Sequence, residues 1–106
     1  MRARVERARE RQVGRYDGCS WRLNGQAPGP VLHERWPLVD EAQRRVDDEL
    51  YAGRLSRRGA ARVHRLAWTV ADLREVARPG VEEVDVALRL RAGEPLMLAT
   101  LDRRAG

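Results

Sequence analysis

LSRRGAARVHRLAWTVADLREVA, Leu55 to Ala77, is the stretch whose reading decides the fold. At about 100° per residue, Val63, Leu66, Ala67, Val70, Leu73 and Ala77 fall on one stripe, the spacing of a helix face buried against other elements. Ser56 suits the N-cap, because its hydroxyl can accept from a backbone N–H left orphaned in the first turn. The expectation is one long helix running from Ser56 to about Ala77. A second stripe, about a third of a turn away, gathers Arg58, Arg62, Arg65, Thr69 and Asp72 at spacings of three and four. That stripe is polar and asks for a different explanation, whereas Arg57 projects elsewhere and reads as solvated.

Working outward, Asp40 with Gln43 three residues on reads as a capping box opening a helix to about Ala52, and Gly53 supplies the left-handed residue that often ends one. Val39, Ala42, Val46 and Leu50 give its buried stripe. The short link to Leu55 predicts that this helix and the long one pack side by side or cross as a helical hairpin. Beyond the long helix, Pro79-Gly80 breaks the chain. Val81 to Arg91 forms a shorter helix, with Val84, Ala87 and Leu88 inward and Glu82 and Glu83 near the positive end of its dipole.

Towards the N-terminus, Gly14 to Pro37 is punctuated by glycine and proline and reads as a long connection, within which PVLHERW forms a short helix. Trp21 and Trp36 read as packing anchors beneath it in preference to stacking platforms for bases, and His33 is a polar position on the short helix. Arg2 to Val13 is a charged helix with a narrow apolar seam of Val5, Ala8 and Val13, plus Gln12. It lies at the surface of the bundle or against something outside the chain. After Gly93, PLMLATL from Pro95 to Leu101 is an apolar patch that packs back on the bundle or meets another chain, and the first is preferred. The whole is an all-α bundle of four or five helices, residues 1–106 forming one domain.

Among the 106 residues all 21 basic ones are Arg, and there is no Lys, Phe or Ile. This reflects a GC-rich coding sequence more simply than selection at every site. The net charge of +5 permits attraction to phosphate, of nucleotide or nucleic acid alike. One cysteine, Cys19, excludes an internal disulfide, and His33 and His64 lack metal-ligand spacing. No signal peptide or membrane-length apolar window is present, so a cytoplasmic protein without membrane contact is expected. With no Lys there is no Walker A motif, and no GxSxG elbow, HExxH pair or Cys-His couple appears. Autonomous catalysis is not expected.

LSRRGAARVHRLAWTVADL resembles the sensor-2 helix in the C-terminal lid of magnesium-chelatase-like AAA+ ATPases, most closely the ComM (YifB) type, whose pattern reads roughly L-S-x-R-A-x-x-R-V-x-R-x-A-R-T-I-A-D-L. Leu55, Ser56, Arg58, Arg62, Val63, Arg65, Ala67, Thr69, Ala71, Asp72 and Leu73 match, and Trp68 stands where the pattern has Arg. ARERQ at Ala8 to Gln12, with Arg15 beyond, and VALRLR ending at Arg91 join it in the family's order, so the resemblance covers the chain up to about Arg91. It implies the helical lid of a larger ATPase whose core precedes Met1, the chain being a fragment.

By this resemblance Arg58 is the sensor-2 arginine. It touches the γ-phosphate of ATP bound, with Mg2+, mainly by the absent core, and no cofactor is expected for the isolated domain. Without the resemblance Arg58 reads as a solvated first-turn residue. Arg62 and Arg65 either assist phosphate or subunit contact or pair with acids such as Asp72. Arg9, Gln12 and Arg15 either belong to a locally paired solvated helix or contact the core or a neighbouring subunit of a ring. The implied partners are the protein's own N-terminal ATPase core, neighbouring subunits, and DNA remodelled in branch migration. Two alternatives stand beside this reading: the lid of a true magnesium chelatase subunit, and a free-standing helix-turn-helix DNA binder.

Overall fold

The computed structural model describes residues 2–93 and Leu101. Five α-helices follow one another: α1 Arg2–Arg15, α2 Gly29–Arg35, α3 Asp40–Tyr51, α4 Arg57–Arg74 and α5 Val81–Arg91, with a 3-10 turn at Asn24–Gln26 between the first two. No strand occurs among the described residues. The all-α bundle is as the periodicities predict.

α4 is the axis. Ser56 caps it, its hydroxyl accepting from the Gly59 N–H at 3.0 Å. The helix ends at Arg74, three residues short of the expected Ala77, and the reason lies in its last side chain. The buried Arg74 guanidinium donates to Glu83 at 2.6 Å and to Glu82 at 3.0 Å, so α5 must begin close by and the chain must reverse at once. Glu75 supplies the reversal at φ 57°, an uncommon conformation for a side chain that is not glycine. Val76 N–H to Ala71 C=O and Glu75 N–H to Asp72 C=O complete a Schellman closure. Glu83 also accepts from the Gly80 N–H at 2.7 Å, holding the start of α5.

Two apolar clusters flank α4. The larger joins Leu38, Ala42, Val46 and Leu55 to Val63 and Ala67 of α4 and Val84 and Ala87 of α5. Leu66, Leu50 and Leu88 are only partly buried against it, Leu73 is also only partly buried, and Val39 and Ala77 are exposed, which corrects six positions of the expected stripes. α4 packs far more extensively on α5 than on α3, so the expected α3–α4 hairpin is not the main contact. α3 instead spans both, and its start is tied to the α4–α5 turn by the Val39 N–H to Pro79 C=O bond at 3.0 Å. The expected capping box at Asp40 does not form. Val39 is the cap, Asp40 is already helical, and the Gln43 amide donates to Asp47. Gly53 does adopt the left-handed conformation, at φ 78°.

The smaller cluster holds Tyr16, Ala27, Leu32 and Trp68, with Trp21, Trp36 and Cys19 packed against it. Trp21 and Trp36 are therefore the anchors of the long connection, as the sequence suggests. Leu101 is buried, while residues 95–100 of the apolar tail lie outside the described residues.

Candidate functional site

The polar stripe of α4 divides into two halves with opposite surroundings. Its C-terminal half is roofed by α1 and the 3-10 turn, with the Asp72 carboxylate fully buried at the centre. Arg15 grips that carboxylate through both terminal nitrogens, one of them 3.0 Å from Oδ2. The Asn24 amide donates to it at 2.9 Å, and Arg11 lies 3.3 Å away. Asn24 in turn accepts from Tyr16 OH at 2.6 Å, and its backbone N–H donates to Gln12 at 2.8 Å. Burial works against the charged form of Arg15, yet the hydrogen bond and charge of Asp72 outweigh it and hold the guanidinium more firmly protonated than usual. The same guanidinium lies 4.1 Å over the Trp68 ring. Trp68 thus meets an arginine of α1.

Next along the helix, a clamp of two side chains holds α2. His64 Nε2 and Trp68 Nε1, one turn apart, both lie against the Trp36 carbonyl at the end of α2, at 2.9 and 2.8 Å. A donating Nε2 fits a neutral imidazole, and burial pushes the His64 pKa below its ordinary value. Arg65 donates to the Ala27 carbonyl at 2.8 Å rather than pairing with Asp72. That corrects one of its two expected roles.

The N-terminal half is open. Arg57, Arg58 and Arg62 are exposed and, among the described residues, have no carboxylate partner. Arg57 and Arg58 both border a cleft of about 650 Å³ between α2, α3 and α4, floored by Val46, Leu50, Ala60 and Ala61 and rimmed by His33 and Asp47. Arg57 therefore shares the cleft with Arg58 instead of pointing away from it. Unpaired guanidinia suit phosphate oxygens, which they can meet in bidentate fashion. They supply arms, not the cradle of backbone N–H groups that a nucleotide's phosphates need.

Of the α1 residues singled out by sequence, Gln12 and Arg15 turn inward, their polar groups taken by Asn24 and Asp72, and Arg9 faces outward. No pattern in the α1 sequence marks Asp72 as the acceptor for Arg11 and Arg15, because the link spans some sixty residues. Among the described residues no cluster of three metal-ligating side chains occurs, and no helix is long and apolar enough to cross a membrane.

The family described as magnesium chelatase, subunit ChlI C-terminal, matches residues 1–91. An uncharacterized protein of Mycobacterium bovis and one of Mycobacterium tuberculosis are each 36% identical to the chain over 91 residues. That stretch is 86% of this chain and 18% of each relative, so the chain spans less than a fifth of their length. No solved structure matches it at a significant level.

Proposed function

The chain belongs to the magnesium chelatase ChlI C-terminal family, and we propose that it works as the helical lid of a ComM-type AAA+ ATPase, with Arg58 reaching the γ-phosphate of ATP held by the ATPase core. The observation that carries this reading is the contrast along α4. One end is locked to α1 and α5 by buried ion pairs, and the other presents Arg58 unpaired in its first turn. A guanidinium so mounted can report on the γ-phosphate. When that phosphate leaves, the charge-assisted bond is lost, and a rigid α4 carries the change to α1 and to whatever α1 contacts, with Arg9 at hand on its outer face. The core would hold ATP and Mg2+; this chain would hold the arginine.

Action on DNA is the favoured purpose, supported by the likeness of TVADL at Thr69–Leu73 to the ComM pattern and by the net charge of +5. The family description itself favours the second reading, the lid of a metal-inserting chelatase subunit in the same kind of ring. DNA-stimulated ATP hydrolysis by the whole ATPase separates the two.

Arg58→Ala in the whole ATPase should lower turnover or ATP affinity by about tenfold to a hundredfold, the worth of one charge-assisted bond to phosphate. The melting temperature should hold, since Arg58 is exposed. Arg44→Ala, exposed on α3 and away from the cleft, is the control, and Arg57→Ala shows whether the second cleft arginine shares the work. Equal hydrolysis by the Arg58 and Arg44 variants would sink the assignment.

A further inference from the structure

Gly59 is the one residue of the α4 first turn whose identity the helix itself does not explain. Its φ is not positive, and glycine inside a helix costs stability that alanine would not. What it meets is Arg91, the last residue of α5. A β-carbon at Gly59 would lie 3.0 Å from a terminal nitrogen of Arg91, 3.2 Å from Nε and 3.3 Å from Cζ. The Arg91 guanidinium therefore rests on the bare backbone of α4 and covers Gly59, which is buried although Arg58 before it is exposed.

At about 100° per residue, Arg62 falls between Arg58 and the Gly59 side of α4. On the helical wheel Arg58 and Arg62 thus lie on one side of the Gly59 seat, two arms from α4 next to the one laid across from α5. None has a carboxylate partner among the described residues. Like charges gathered together repel one another, and an external anion relieves the repulsion. We infer that Arg91, seated by Gly59, is a second phosphate-holding arginine that acts beside Arg58. The inference rests on the proposed lid function and names a further residue for the same phosphate.

The test uses the whole ATPase and three single variants. Arg91→Ala should raise the KM for ATP about threefold to tenfold. Gly59→Ala keeps every charge but pushes the guanidinium off its seat, so it should raise the KM in the same direction while the melting temperature stays level or rises. A variant that is at least as stable and yet weaker for ATP is not what a merely structural role produces. The double variant should be no worse than Arg91→Ala alone. A loss in Arg58→Ala with wild-type KM in both the Arg91 and the Gly59 variants overturns this inference and leaves the sensor-2 reading standing. No loss in Arg58→Ala overturns that reading and this inference with it.

Discussion

Asp72 shows how one side chain can be misread from spacing. Its place at the foot of the Arg58–Arg62–Arg65–Thr69 row made it look like part of a functional face, yet it is fully buried and accepts from residues far away in the chain. Removing one partner of a buried ion pair leaves the other charges uncompensated, typically at a cost of about 3 to 5 kcal/mol. Asp72→Ala should therefore destabilise the domain by that order, read as a lowered urea midpoint. An unchanged midpoint would mean that water reaches Arg15. His64 makes a prediction of another kind. Because burial lowers its pKa, the fold prefers the neutral imidazole, and its contribution is complete above the ordinary value of about 6.5. Stability should decline as pH falls from there through the lowered folded pKa. His33 of α2, with its ring centroid 6.1 Å away, and Arg65 on α4 add positive charge that reinforces the effect. Urea midpoints between pH 7.5 and 5.5 should fall, and His64→Gln should flatten that slope. Glu49 titrates outside this window, held at about 2 by Arg54 and Arg45.

At the scale of elements, periodicity located the helices and missed some of their ends and faces. Ser56, Gly53, the Pro79-Gly80 break and the acids opening α5 carry local signals, and each does what its chemistry dictates. The end of α4 carries no such signal. It is decided by Arg74 reaching Glu82 and Glu83, a tertiary pairing that makes a glutamate take the left-handed turn. α1 was legible as a helix but not as a polar clasp, since its outer Val13 is half exposed and its hold on α4 runs through Gln12 and Arg15. The core stripe needs the same correction. Leu38, 2% exposed in the larger cluster, should cost about 2 to 5 kcal/mol when cut to alanine. Leu66, only partly buried, should cost less, under about 2 kcal/mol if roughly half of its transfer term is lost. Reversal of that order in urea melts would show that Leu66 carries the core after all.

For the whole molecule, the decisive question is whether α4 can be a DNA-reading helix. Its length and Arg-rich start invite that reading, and net positive charge makes some affinity for duplex DNA inevitable at low salt. A recognition helix, however, must leave one side free along the residues that enter the major groove. α4 has no such side: α1, α2, α3, α5 and the 3-10 turn all pack on it, and only its first turns carry exposed arginines. Phosphate contacts remain open to this surface, whereas base edges lie beyond its reach. The chain alone should therefore bind duplex DNA weakly, at micromolar affinity or worse. Binding should be blind to sequence and fall steeply between about 50 and 200 mM salt, as phosphate-driven association does. Filter binding with two unrelated duplexes at those salt levels reads all three properties at once. Nanomolar binding to one duplex that survives the higher salt would require α4 to leave the bundle, and with it the lid reading would fall.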